Sequence, residues 1–180
     1  MSINATGGLV GGNLVISRAG GATANLTGVA ATAATTYTVQ NLTYTIAGKL
    51  YFKVTAVTAA APVTDVVSGL AFKPLQKNQG CAYLWTVDAF GNVGIAQGPL
   101  PISPATTGLQ TNVDDSGNFI IPPQFPTVPD TLSVFAYSII RTTSAYAGTG
   151  YQPGVSNWNT TGVVTTATDL MEVPATLQTA

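Results

Sequence analysis

Apolar and polar residues alternate over residues 49 to 58, in the stretch KLYFKVTAVT. The apolar positions share one side of an extended chain, which predicts a half-buried β-strand. They are Leu50, Phe52, Val54 and Ala56. The preceding stretch NLTYTIAG (41 to 48) has the same period, and a three-residue loop over 47 to 49 would join the two as a hairpin. The predicted pairs, all apolar as hairpin register requires, are Ile46 with Leu50, Tyr44 with Phe52 and Leu42 with Val54.

The stretch WTVDAFGNVGIAQG (85 to 98) predicts a second hairpin. A three-residue loop over 89 to 91 places Gly91 where a type I turn followed by a bulge needs a left-handed residue. Asp88 opens the turn, and its carboxylate is placed to accept a backbone N–H two residues on. The predicted pairs are Asp88 with Asn92, Val87 with Val93 and Trp85 with Ile95.

The Asp-x-x-Gly-Asn pattern occurs again in NVDDSGNFIIP, as Asp114, Gly117 and Asn118. We expect a second turn there, with Val113 paired to Phe119. A calcium loop is the alternative, because Asp114, Ser116 and Asn118 alternate as its first oxygen ligands do. Its twelfth position, normally glutamate, is Phe125, so a structural turn is the favoured interpretation.

Further strands are predicted at 13 to 17, 35 to 40, 131 to 142 and 161 to 167. Only 64 to 75 and 166 to 173 could hold a helical turn. The expected fold is therefore all-β, an antiparallel β-sandwich or barrel-like domain over residues 13 to 180 with hairpins and a Gly-rich N-terminal arm over 1 to 12. We expect the Pro-rich stretches 98 to 108 and 121 to 130 to be rigid surface connections or covered edges, and not central strands.

Charge is scarce in this chain of 180 residues: charged residues make up 7% and the net charge is −1. A soluble monomer usually keeps a more charged surface, so we expect partners or copies of itself to cover much of this one. The six basic residues form no cluster, which argues against nucleic-acid binding. No apolar run is long enough for a membrane span. The N-terminus lacks the pattern of a secretory signal, which favours synthesis in the cytoplasm.

Few residues suited to catalysis or metal binding are present. The sequence has no histidine and one cysteine, Cys81, which excludes His-based triads and thiolate zinc sites. A glycosidase-type carboxylate pair could be drawn from the seven acidic residues, but nothing in the sequence selects one. We expect no catalytic residue, no cofactor and no metal.

A loop at 146 to 159, YAGTGYQPGVSNWN, contains Tyr146, Tyr151 and Trp158 among small and amide residues. These three are the candidate interface residues, either against another subunit or stacked on a sugar ring. Packing within the domain or against a subunit is the favoured interpretation.

Three stretches in this order resemble a group of tailed-phage virion proteins that accompany the major capsid protein. They are GKLYFKVTAV (48 to 57), YLWTVDAFGNVGIAQG (83 to 98) and FPTVPDTLSVFAYSIIRT (125 to 142). In that group an apolar strand precedes a Gly-Asp-Ala-x-Gly-Asn-Val bend with a Gln-Gly ending, and then Pro-x-x-Pro-Asp precedes an aromatic-rich strand. Thr86 stands where glycine is commoner, and Ala136 where Phe-Gly-Tyr is typical.

The resemblance implies a non-enzymatic role, as a head decoration or cement protein on the capsid surface of a virion. Its partners would be the major capsid protein and copies of itself, in a trimer for example. Two other roles stay open at this point. One is a tail-fibre or receptor-binding module whose 146 to 159 loop binds glycan, and the other is a tail-tube or baseplate component.

Overall fold

A computed structural model describes residues 15–18, 35–39, 42–53, 57–101 and 111–169, and its regular elements are β-strands. The strands are β1 (Val15–Arg18), β2 (Thr36–Val39), β3 (Leu42–Ile46), β4 (Lys49–Lys53), β5 (Val57–Ala60), β6 (Gly80–Asp88), β7 (Val93–Gln97), β8 (Leu132–Thr142) and β9 (Val163–Asp169). No helix occurs in these ranges, so the all-β prediction is confirmed. The predicted arm over 1 to 12 lies outside the described residues.

The strands form three antiparallel sheets, with the orders β1-β3-β4, β2-β5 and β7-β6-β8-β9. All four strands predicted separately from the hairpins are present, with ends shifted by a few residues. Of the two stretches that could hold a helical turn, 64 to 75 contains one, where the Gly69 N–H donates to the Asp65 carbonyl at 2.8 Å, but no helix forms in the described part of either stretch. Thr64 and Ala71 form an antiparallel bridge, and residues 166–169 belong to β9.

The first predicted hairpin has a different register from the one expected. Ile46 pairs with Lys49, so the loop is the two residues Ala47 and Gly48, whose φ angles are 50° and 75°. Positive φ at both central residues is the geometry of a type I′ turn, whose twist matches that of the flanking strands. The three-residue loop and its pairs are therefore wrong by one residue. The predicted single strand over 49 to 58 is also wrong, because β4 and β5 belong to different sheets.

The one-residue shift decides which side chains of this hairpin reach the core. Leu42, Tyr44 and Ile46 are buried, while Leu50 and Phe52 lie opposite threonines of β3 and are exposed. A shift of one residue moves the whole apolar set of a strand to the other face of the sheet. The result is an exposed apolar face on β4 in place of the predicted buried one.

The second hairpin, β6–β7, has the predicted register, with Val87 opposite Val93 and Trp85 opposite Ile95. β6 lies between β7 and β8, and nearly every residue of it is buried. Burial on both faces of a strand requires a layer of side chains above and below the sheet.

The main core lies on one face of β6 and is centred on Trp85. Its ring centroid is 5.3 Å from that of Tyr37 in β2 and 6.4 Å from that of Trp158. Its indole N–H donates to the Ser138 hydroxyl of β8 at 3.2 Å. Side chains of β3 join the same cluster, so all three sheets contribute to one core.

The Pro-rich segment 121–130 covers the opposite face of the four-stranded sheet. Phe125 and Val128 pack there against Leu84, Val134 and Tyr137, and the Phe125 and Tyr137 rings meet edge to face at 5.2 Å. No strand forms in 121–130, as expected for a surface connection, and the segment lies over a face of the sheet. The other Pro-rich stretch, 98 to 108, lies mostly outside the described residues.

Trp158 connects the 146–159 loop to β2, because its indole N–H donates to the Thr36 carbonyl at 3.0 Å.

We expect Trp158→Ala to lower the free energy of unfolding by about 3–5 kcal/mol through loss of a buried aromatic. Trp158→Phe keeps most of the ring and loses the donor, which should cost about 1–3 kcal/mol because the Thr36 carbonyl loses its partner. Urea unfolding of each variant measures this. Phe90→Ala, at an exposed ring, is the control and should change stability by less than about 0.5 kcal/mol. A Trp158→Ala protein as stable as the control would contradict the buried position.

Candidate interaction surface

The turn between β6 and β7 is held by the Asp88 carboxylate. Oδ1 accepts the backbone N–H of Phe90 at 2.8 Å and that of Asn92 at 2.9 Å, and Oδ2 accepts the Asn92 side-chain amide at 2.8 Å. Gly91 has φ 81° and donates its N–H to the Asp88 carbonyl at 3.0 Å. Both carboxylate oxygens are therefore occupied within the turn.

The 114–118 turn repeats this geometry. The Asn118 backbone N–H donates to Asp114 Oδ1 at 2.8 Å, its side-chain amide donates to Oδ2 at 3.3 Å, and Gly117 has φ 86°. Val113 and Phe119 form the predicted bridge. The hydrogen bonds from Asn118 lower the pKa of Asp114, because they stabilise its charged form. In the described part of the chain, no three His, Cys, Asp or Glu residues are grouped to hold a metal ion.

The 88–92 turn is fixed to the β3–β4 hairpin by two hydrogen bonds. The Tyr44 hydroxyl donates to the Asp88 carbonyl at 2.8 Å, and the Lys53 ammonium donates to the Gly91 carbonyl at 2.7 Å. Burial, and next the Asp88 charge, raise the pKa of Tyr44, so this hydroxyl keeps its proton at neutral pH. The Phe90 side chain, 91% exposed, is therefore presented on an immobilised turn.

Two more large apolar side chains are exposed on β4, on the face of the strand opposite to the Lys53 side chain that bonds the Phe90 turn. Phe52 is 64% exposed and Leu50 is 51% exposed, both on the outer side of β4. We call Leu50, Phe52 and Phe90 the apolar end. Large apolar side chains that are exposed to water are candidates for contact with another protein.

A third carboxylate, Asp65, holds a turn that the sequence did not reveal. It accepts the backbone N–H groups of Val67 at 3.3 Å and Ser68 at 3.2 Å, and the Ser68 hydroxyl at 2.6 Å. Asp65 also accepts the N–H of Gln97 in β7 at 3.2 Å. The sequence does place an aspartate four residues before a glycine here, which is compatible with a turn, but the same stretch also suited a helical turn.

The candidate interface residues Tyr146, Tyr151 and Trp158 belong to the core. They are 5%, 0% and 3% exposed, and the Tyr151 and Trp158 rings lie 6.3 Å apart. A buried ring cannot stack on a sugar or on another subunit, so packing inside the domain is the one of these interpretations that the structure has. The short spacing of aromatic and small residues in 146 to 159 fits both packing inside the domain and an interface, so the sequence did not distinguish these arrangements.

The single thiol is also buried. Cys81 is 0% exposed, its sulfur lies 3.2 Å from the Gly98 carbonyl oxygen, and burial raises its pKa to about 12. A thiol with such a pKa holds almost no thiolate at neutral pH and is a poor nucleophile. Cys81 therefore acts as an apolar core residue.

A groove of about 330 Å³ lies beside the Pro-rich cover, between Pro99 and Pro123. Its buried polar residue is Asn112, whose side chain accepts the Gly80 N–H at 2.8 Å and donates to the Gly80 carbonyl at 2.9 Å. Both bonds fasten the 111–123 segment to β6. The Asn112 amide is engaged in the fold and is not directed at a ligand.

Comparisons with protein-family models, with curated proteins and with solved structures found no match. A search of the described ranges for a helix long and apolar enough to cross a membrane found none.

Backbone conformation, not space, makes glycine necessary at position 91. A Cβ there would meet only the Lys53 ammonium, at 3.9 Å. We expect Gly91→Val to destabilise the protein by about 1–2 kcal/mol or more, because a β-branched residue is forced to positive φ. Gly91→Asn should cost less, since asparagine tolerates this region. Asp88→Asn should cost little. Urea unfolding of the three variants checks this, and equal losses for the valine and asparagine variants at 91 would refute it.

The lowered pKa of Asp114 has a pH consequence with a fixed sign. Because the pKa of Asp114 is lower in the folded than in the unfolded protein, its charged carboxylate stabilises the fold above the ordinary aspartate pKa of about 4. This stabilisation is lost as the pH falls through the pKa of the folded protein. We expect NMR titration of the Asp114 carboxyl carbon to show a lower pKa in the folded than in the urea-unfolded protein. Ser116→Ala, which leaves the Asn118 bonds intact, is the control and should keep the lower pKa of Asp114 in the folded protein. Equal values in the two states would contradict the hydrogen-bonded carboxylate.

Proposed function

We propose that this chain is a non-enzymatic structural protein of a virion that decorates the capsid and stabilises its lattice. The observation that carries the proposal is the apolar end: Phe90 is 91% exposed on a turn fixed by Asp88, Tyr44 and Lys53. The resemblance of 48 to 57, 83 to 98 and 125 to 142 to tailed-phage virion proteins supports it. Two of those stretches contain the apolar end.

The scarcity of charged residues also supports the proposal. Charged residues make up 7% of the chain, and the described turns at Asp65, Asp88 and Asp114 direct their carboxylates to amides of the protein itself. A surface with so little free charge is poorly suited to a lone soluble molecule and well suited to contact with neighbours. Its partners would be the major capsid protein and copies of itself.

The physical mechanism is linkage. A protein that binds the assembled shell and not its separated subunits shifts the equilibrium towards the shell. The hydrogen bonds of the Phe90 turn favour this, because they order the turn before binding and an ordered surface loses little conformational entropy on binding. Removal of several exposed apolar side chains from water at each of many lattice sites then adds up over the particle.

The glycan-binding alternative loses its basis, because its aromatic residues are buried. A tail-tube or baseplate component differs from the proposal in the place where the chain assembles. Labelling the chain in virions and imaging them by electron microscopy separates the two, since signal confined to the tail would exclude a head decoration protein.

Virions that lack this chain should release their DNA at a lower temperature than complete virions. Adding back the purified chain should restore the higher temperature, measured by dye binding to released DNA during heating. Phe90→Ser chain should restore it less than wild-type chain, because it removes the exposed ring from the apolar end. Val155→Ser, at another exposed apolar position, is the matched control. Equal release temperatures with and without the chain would refute the stabilising role.

A further inference from the structure

Arg141 of β8 lies on the same face of the four-stranded sheet as Tyr137, four residues before it, and opposite Val164 of β9. Its side chain is partly buried, and its guanidinium carbon is 5.9 Å from the centroid of the Phe119 ring. The ring occupies the space over Gly80, where an added Cβ would come within 2.4 Å of Phe119 Cε1. The guanidinium is therefore placed by packing on the sheet.

This cation has no acceptor within the described ranges. No hydrogen bond or ion pair joins the Arg141 guanidinium to a described residue, and its Nε is buried. The carboxylates of the nearby 111–123 segment are bonded to amides instead: Asp114 accepts from Asn118, and Asp115 accepts from the Asn78 side chain at 2.7 Å. A cation that has lost part of its water without gaining an acceptor is in an unfavourable state.

Apolar side chains surround the guanidinium on this face. Ile139, two residues before Arg141, is partly buried, and Val164 is 37% exposed. We call these two residues, Phe119 and Arg141 the Arg141 surface. Another protein that covers this surface removes water from the guanidinium, and opposite charges attract more strongly where water is excluded.

We propose that the Arg141 surface binds another protein through a carboxylate that the partner presents among apolar side chains. The planar guanidinium suits a carboxylate, which can accept two N–H groups at once. A wholly apolar partner would leave the guanidinium buried and unpaired, which is strongly unfavourable. A second copy related by a two-fold axis would bring two guanidinium groups together. Charge complementarity therefore selects an acidic partner, and only its assignment as the capsid protein rests on the proposed function.

The test uses the purified chain and two capped tripeptides as probes, one of valine, glutamate and valine and the other with glutamine in place of glutamate. NMR titration, followed at the backbone amides of Phe119 and Val164, should show saturable binding of the glutamate peptide. The glutamine peptide should bind on the order of 10-fold more weakly, because it lacks the charged acceptor.

Arg141→Gln chain should bind both peptides equally weakly, whereas Arg141→Lys, which keeps the charge, should still prefer the glutamate peptide. Lys73→Gln removes an exposed cation elsewhere and should bind as wild type does. Absence of binding to wild-type chain, equal affinity of wild type for the two peptides, or undiminished binding of the glutamate peptide to Arg141→Gln would each overturn the inference.

Co-sedimentation with virions that lack the chain separates this inference from the virion role. Arg141→Gln chain should bind such virions more weakly than wild-type chain does. If wild-type chain prefers the glutamate peptide but does not bind virions, the Arg141 surface stands and the virion role fails. If wild-type chain binds virions but does not distinguish the peptides, the virion role stands and the inference fails.

Discussion

Burial of Trp85 is the constraint on which the rest of the structure depends. This side chain is on the central strand β6, and it meets Tyr37 from the two-stranded sheet and Trp158 from the 146–159 loop. Side chains of the three-stranded sheet belong to the same cluster. Three small sheets of two to four strands would each be marginal alone, and the shared core allows each to bury its apolar side chains against the others.

A consequence of this core is that the aromatic residues are used inside the molecule, while smaller aliphatic and two phenylalanine side chains remain outside at turns and on β4. The rigid turns hold those outer side chains in place through aspartates. At Asp65 and at Asp88 the carboxylate accepts N–H groups of its own turn, and each turn carries exposed apolar side chains, Val67 in one and Phe90 in the other.

The sequence predicted this fold where local chemistry determines the conformation. Asp88, Gly91 and Asn92 specify one turn type, so the register of β6–β7 followed from their spacing. The predicted register of β3–β4 was wrong because Ala47 adopts φ 50°, a conformation that is uncommon for alanine and that the sequence therefore did not indicate. The sequence also failed to place Trp158, since the depth of that ring depends on Thr36, 122 residues away, and no local pattern encodes such a contact.

The burial of Cys81 makes the described fold indifferent to the redox environment. No disulfide can form within a chain that has one cysteine, and a thiol with a pKa of about 12 reacts slowly with oxidants and other thiols. Passage from a reducing cell interior to an oxidising exterior therefore leaves the covalent structure of this core unchanged. The proposed role in a virion, which forms inside a cell and persists outside it, would require that constancy.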